Sequence, residues 1–255
     1  MTRLIRTVDE WREVQSKFQH ADTLGFVPTM GALHEGHASL INRSIGENRL
    51  TVVSIFVNPT QFNNPADLTK YPRTEAADVD LLTRLKVDFL FMPDYASIYP
   101  DSYEYKVTEH KLSLLMEGTG RPGHFDGVLT VVMKLLNIIR PVRAYFGEKD
   151  YQQYLLVKKM AEAFFMEVEI IACPTIRNSD GLALSSRNIL LSKEGRARAP
   201  LFAHLLQSDK TAEQIKAELE QNGFTVDYIF DVEGRRYGAV YLDGIRLIDN
   251  VKLNQ

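Results

Sequence analysis

Two histidines, His34 and His37, stand three residues apart in "FVPTMGALHEGHASL", between an apolar run and an amphipathic one. If "HEGHASLINRS" begins a helix, both rings fall on one face at its start, where free N–H groups and the helix dipole favour an anion. Gly31 and Gly36 leave out side chains where a ligand could approach the backbone. Imidazole N–H groups donate to phosphate oxygens, and such bonds strengthen as charge builds in a transition state. Metal binding is the rival, but the metalloprotease pattern needs an i, i+4 pair with a glutamate base, and this pair is i, i+3. Two polar residues in a turn are the plain alternative. The spacing favours phosphate.

Other segments offer related chemistry. "IFVNPTQF" puts Asn58 and Gln61 after an apolar run, two neutral amides able to read hydroxyls and carboxylates, or simply an Asn-Pro turn. "AYFGEKDYQQY" supplies Gly147 for close approach, Lys149 as a mobile cation, Asp150 as a helix cap or ribose ligand, and Gln153 one turn on. A capped helix with no ligand would look the same. "GLALSSRN" combines Ser185, Ser186 and Arg187, a clamp suited to polyphosphate or a solvated turn. Arg121, His124 and Asp126 in "GTGRPGHFDGVLTVV" are supporting candidates or simply a rigid helix-entry loop, and Tyr71 and Arg73 in "KYPRT" share that ambiguity.

The elements between these segments position them. Strand-like runs "TLGFVPT", "LTVVSIFV", "VDFLFM", "RAYFG" and "VEIIACP" alternate with helical patterns in "ASLINRSIGEN", "TEAADVDLLTRLK", "GVLTVVMKLLNIIR" and "YQQYLLVKKMAEAFF". Near-continuous apolar strands separated by helices predict an α/β fold, a Rossmann-like parallel sheet with helices on both faces. Ligands of such sheets sit beyond the carboxyl ends of the strands. After Pro174 a loop-rich stretch leads to helices near 193–207 and 210–221, then to two strand candidates, "FTVDYIFDV" and "YGAVYLDGIRLI". The expected division is 1–174 for the sheet and 175–255 for a smaller C-terminal α+β lid domain. The Gly-rich dinucleotide fingerprint and the P-loop are both absent, which weakens dehydrogenase and P-loop kinase readings.

Composition sets limits. A net charge of −3 gives no basic footprint for nucleic acid. The single cysteine, Cys173, excludes an intramolecular disulfide and suits a reducing compartment. The N-terminus lacks a signal-like apolar core, and no run is long enough to span a membrane. A cytoplasmic protein without membrane or nucleic-acid partners is expected.

Together "PTMGALHEGH", "VSIFVNPTQF", "YPRT", "GTGRPGHFDGVLTVV", "FGEKDYQQ" and "DGLALSSRN" resemble, in order and spacing, the pantothenate synthetase (pantoate–β-alanine ligase) family of nucleotidyl transferases, over roughly residues 20–192. The resemblance implies a carbon–nitrogen ligase that makes pantoyl adenylate from ATP and (R)-pantoate, then transfers the pantoyl group to β-alanine, releasing AMP. It also implies Mg²⁺ with the ATP, whose ligands stay unassigned, and a homodimer. Carried over, Met30, Gly31, Ala32, Leu33, His34, Glu35, Gly36 and His37 form an ATP loop, with His37 as catalytic acid and His34 on the phosphates. Gly147, Glu148, Lys149 and Asp150 bind ATP, Lys149 near the reacting groups. Ile176 packs near adenine, and Leu184, Ser185, Ser186 and Arg187 close over the phosphates. Gln61 meets pantoate and β-alanine, Gln153 meets pantoate, and Asn58 supports substrate binding. Ala38 and Leu184 depart from the usual leucine and methionine, and the chain after 192 is shorter than usual in the family. Another adenylyl transferase, or an ATP sensor without turnover, is the alternative reading. The first would want extra cations where Gln61 and Gln153 stand, and the second should have lost His37, Lys149 or Arg187.

Overall fold

The computed structural model describes residues 2–19 and 23–253. The chain runs β1 (Arg3–Ile5), α1 (Val8–Gln15), β2 (Leu24–Thr29), α2 (Glu35–Glu47), β3 (Leu50–Ile55), α3 (Pro65–Lys70), α4 (Glu75–Arg84), β4 (Phe89–Phe91) and α5 (Tyr95–Ile98). It continues through α6 (His124–Ile139), β5 (Arg143–Gly147), α7 (Tyr151–Ala163) and β6 (Glu169–Cys173). The C-terminal part holds α8 (Lys193–Arg198), α9 (Pro200–Leu206), α10 (Ala212–Gln221), β7 (Thr225–Val232), β8 (Arg235–Leu242) and β9 (Ile245–Lys252).

Strands β1 to β6 form one parallel sheet in the order β1-β4-β3-β2-β5-β6. Side chains alternate across a strand, so neighbouring residues serve opposite faces. Phe26, Val52 and Phe91 pack with Trp11 and the buried sides of α6 and α7. Val27, Val53 and Leu90 pack with Ile41 of α2 and Leu82 of α4. Both faces are covered, as the near-continuous apolar strands require. β1 and α1 were not among the elements expected from sequence. Thr7 and Glu10 form a reciprocal cap at the start of α1, and Trp11 donates to the carbonyl of Ile138 at 2.9 Å, tying α1 to the end of α6.

Strand order reverses between β2 and β5, because the chain adds β3 and β4 on one side and then crosses back. There the ladder is short: only Gly25–Arg143 and Phe26–Ala144 pair. Leu24 accepts from Val142 N–H, so Leu24, Phe26 and Pro28 turn their peptide groups toward β5. Pro28 has no N–H to give, and it falls just past the point where that ladder ends. The two strands part beyond Phe26 and leave a crevice at their carboxyl ends.

The C-terminal β7, β8 and β9 make an antiparallel sheet, three strands where two were expected. The stretch "YGAVYLDGIRLI" folds back at Asp243 and Gly244, both at positive φ (53° and 74°), the conformation an Asp-Gly hairpin turn favours. A separate apolar cluster built on Phe202, Leu206, Ile215, Leu219, Val240 and Leu247 supports this sheet.

Candidate active site

A cavity of about 290 Å³ fills the crevice, and its wall includes Met30, His34, Gly36, His37, Asn58, Gln61, Gly147, Lys149, Asp150, Gln153, Ile176 and Leu184 to Arg187. Its deeper wall is apolar, from Val128, Val131, Val132 and Leu135 of α6. The segments expected to share a site therefore do meet, at the strand-order reversal where open α/β sheets take ligands.

His34 is the N-cap of α2, in place of a hydroxyl or carboxylate. Its Nδ1 accepts from Gly36 N–H at 3.1 Å, and His37 Nδ1 accepts from His34 N–H at 3.3 Å. Each neutral ring must then carry its proton on Nε2, the nitrogen left for a ligand. Burial pushes His37 down to about 3, with His34 and Lys149 adding to the effect. Burial and Lys149 lower His34 as well. The pair is thus neutral at pH 7 and offers two N–H donors beside the Lys149 cation, with ring centroids 4.1 Å apart.

The glycines of this turn answer to the protein rather than directly to a ligand. Gly31 has φ +81°, and a Cβ on Gly36 would stand 2.8 Å from the His34 ring. Ala32 is also left-handed, at φ +50°, which costs a non-glycine residue about 1–2 kcal/mol. The turn is held by Asp78, which accepts from the N–H of Ala32 at 3.0 Å and of Leu33 at 2.8 Å. Sequence reading missed Asp78, since nothing local to α4 signals a contact 45 and 46 residues away.

Asn58 lines the cavity but is only 1% exposed, and its amide is engaged within the protein. It donates to Gln61 Oε1 at 3.1 Å and to Gly127 O at 3.2 Å, and accepts from Thr60 and Tyr99 hydroxyls. Its geometry is that of a brace for Gln61. A Cβ on Gly127 would come within 2.5 Å of Thr60 O, so glycine there lets α6 approach the Gln61 turn. His124 Nδ1 donates to Gln61 O at 2.8 Å while its Nε2 takes an N–H from Arg121 at 3.0 Å. Burial, then Arg121, lowers the His124 ring to about 4. Arg121 and His124 line the cavity, whereas Asp126 pairs with Lys106 at 2.9 Å.

Asp150 makes no side-chain cap on α7; its carboxylate lies 3.7 Å from Lys149 Nζ. Of the adjacent glutamines, Gln152 is buried and bonded to Glu117 N–H and the carbonyls of Leu112 and Leu115, while Gln153 lines the cavity. A Cβ on Gly147 would meet nothing within 4 Å, which leaves room for close approach. The carbonyls of Glu148 and Lys149 accept from Asn250 Nδ2 of β9 at 2.8 and 2.9 Å.

The last wall is a hairpin-like segment. Leu184 N–H donates to Ile176 O at 2.9 Å, and Arg177 makes a two-pronged ion pair with buried Asp249, closest at 2.6 Å. Ser185 caps its own short helix by accepting from Arg187 N–H, and Ser186 and Tyr71 both line the cavity. The Arg187 guanidinium faces the cavity with no hydrogen bond or ion pair among the described residues. Glu117, which accepts both Arg246 guanidinium nitrogens (2.6 and 2.9 Å) and the Tyr228 hydroxyl, links the approach to α6 with β7 and β9. This buried group was also missed from sequence.

A doubly wound α/β sheet whose ligand crevice lies at its strand-order reversal defines the class of the molecule. Within that class, the family model for pantoate–β-alanine ligase matches residues 3–252. The pantothenate synthetase of Bdellovibrio bacteriovorus is 52% identical over 256 residues, covering 99% of this chain and 100% of that one, and that of Legionella pneumophila is 51% identical over 251 residues, 98% and 100%. The pantoate–β-alanine ligase of Francisella tularensis, solved with β-γ ATP and β-alanine, superposes with a TM-score of 0.95 at 40% identity, covering 99% of this chain and 98% of that one. The Thermus thermophilus pantothenate synthetase gives 0.91 at 38% over the full length of both. The chain belongs to the pantoate–β-alanine ligase family. These relatives match over nearly their whole length, so the C-terminal part is not short relative to them.

Proposed function

We propose that this protein condenses (R)-pantoate with β-alanine, using ATP. A pantoate carboxylate oxygen attacks the α-phosphorus of ATP; the new O–P bond forms as the bond to the β-phosphate oxygen breaks, and pyrophosphate leaves. The neutral amine of β-alanine then attacks the acyl carbon of the adenylate; the C–N bond forms, the acyl C–O bond to the phosphate breaks, the nitrogen gives up a proton to solvent, and AMP leaves. Both partners of the first step are anions, so neutralising and aligning charge matters more than a strong base. The observation that carries this reading is the histidine pair: both Nδ1 atoms are held by backbone N–H, leaving two Nε2–H donors beside Lys149.

His37, His34 and Lys149 are the groups we assign to the reacting phosphate. The neutral rings act by donating hydrogen bonds, and bound phosphate would raise their proton affinity. Gln61 reads pantoate and β-alanine, Gln153 reads pantoate, and Ile176 packs near adenine. Ser185, Ser186 and Arg187 meet the phosphates from the other wall. The fit for Mg²⁺ is one carried by the nucleotide: among the described residues no group of three or more His, Cys, Asp or Glu could hold a metal, whereas Asp150 lines the cavity beside Lys149. There Mg²⁺ would be held by phosphates and Asp150, neutralising phosphate charge. We further propose that 1–174 and 175–255 act as two domains, on the separate C-terminal core. A cytoplasmic homodimer follows the sequence reading; light scattering at twice the chain mass checks the dimer.

The test supplies ATP, Mg²⁺, pantoate and β-alanine and follows AMP and pantothenate. Absence of β-alanine-dependent AMP sinks the ligase reading, and ATP binding without turnover favours a sensor.

A further inference from the structure

Asp78 lies near the start of α4 and is 3% exposed. A carboxylate this deep must have its charge met by donors. Here they are two consecutive backbone amides and a hydroxyl: Ala32 N–H on Oδ2, Leu33 N–H on Oδ1, and Thr74 Oγ1–H on Oδ2 at 3.1 Å. The two amides follow Gly31 in the turn where φ is positive twice running, and they immediately precede His34. Where the histidine rings stand is fixed by this turn, because His34 caps α2 and its own N–H holds His37.

We propose that Asp78 is a positioning residue for adenylyl transfer, acting through the Ala32 and Leu33 amides to aim the Nε2–H groups of His34 and His37; this rests on the ATP-dependent reading above. Its side chain is not part of the cavity wall. Only a carboxylate serves both amides, since it presents an acceptor to each. Asparagine, of nearly equal size, would turn an NH₂ toward one of them. The turn would relax and carry the rings with it, and a displacement of about 1 Å can cost about 10²-fold in rate.

The experiment compares wild type with Asp78→Asn in pyrophosphate release from ATP and pantoate, with melting temperature and ring ¹⁵N–¹H spectra of the histidines alongside. The expected result is a folded variant with adenylation about 10²-fold slower, the KM for pantoate within about twofold of wild type, and shifted His34 and His37 ring signals. A folded variant with wild-type adenylation and unmoved ring signals overturns the proposal. So does a loss in which the KM for pantoate rises as steeply as the KM for ATP, since that would be general damage. Should Asp78→Asn fail to fold, Thr74→Val decides: several-fold slower pyrophosphate release with shifted His34 and His37 ring signals supports the clamp, and an unchanged rate with unmoved signals overturns it. Wild type that releases no pyrophosphate defeats the ATP reading instead, and the ring spectra still test the clamp.

Discussion

The two walls of the cavity are built on different principles. On the wall formed by β2, β3 and α6, nearly every polar group facing the cavity is held by a second group behind it. Asp78 holds the turn before His34, Asn58 holds Gln61 Oε1, and His124 holds the Gln61 carbonyl. On the wall formed by residues 174–190, Ser185 spends its hydroxyl on its own helix turn and the Arg187 guanidinium has no hydrogen bond or ion pair among the described residues. Ile189, two residues on, is 75% exposed. The first wall is set before a ligand arrives; the second keeps a free cation whose best partner is the ligand. A reaction between two anions needs both kinds, fixed donors where charge develops and a mobile one that follows the polyphosphate.

The sharpest way to break this contrast is His37→Ala. Adenylate formation should fall by roughly 10²–10³, the range for losing one preorganised donor, while the melting temperature stays close to wild type. Unchanged single-turnover pyrophosphate release would mean the fixed wall does not carry the charge. Next comes Gly127→Ala, whose Cβ would press within 2.5 Å of Thr60 O. Overpacking at such a site costs about 1–3 kcal/mol, so the denaturant midpoint should drop and the KM for pantoate should rise through Gln61. Stability without change there would show the Gln61 turn to be loosely held.

Arg187→Ala should behave in the opposite manner. One charge-assisted hydrogen bond is worth about 1.5 kcal/mol or more, so the KM for ATP should rise about tenfold with no loss of melting temperature. A drop in stability instead would make Arg187 structural and erase the contrast. The smallest effect is with pH. His37 titrates near 3 and His124 near 4 in the folded protein, below the ordinary value of about 6.5. As pH falls the unfolded chain takes up these protons first, so their contribution is full above pH 6.5 and is lost between 6.5 and about 3. Melting temperature should be flat near pH 7–8 and decline below 6.5, with a shallower decline in His37→Gln; equal slopes would deny that burial sets the state of the ring.

Much of this was legible in sequence, for identifiable reasons. Continuous apolar strands and strand-to-helix junctions forecast the parallel sheet, and the histidine spacing forecast a helix start with both rings on one side. Gln153 lines the cavity, as its place one turn beyond Lys149 suggested, while Gln152 is turned into the protein. The misses share a cause: they depend on partners far along the chain. β1 is three residues long and is defined by its pairing with β4, and Asp78 acts on amides more than 40 residues earlier. Asp150 looked like a helix cap from its position, yet its carboxylate lies beside Lys149. The merged β8 and β9 were a different kind of miss, since Asp243-Gly244 is a local hairpin signal that was there to be read.

The Asn250 side chain, holding the carbonyls of Glu148 and Lys149, reaches across 102 and 101 residues of sequence. A ribosome delivers chain from the N-terminus, and domains generally fold in that order. The parallel sheet, its histidine turn and Gln61 are all encoded before residue 174, but the lysine loop gains this support only when β9 has been made. During synthesis the nascent protein would pass through a stage with most of its pocket and an unsecured lysine. The lysine loop therefore waits for its brace on a strand made about a hundred residues later than the loop itself.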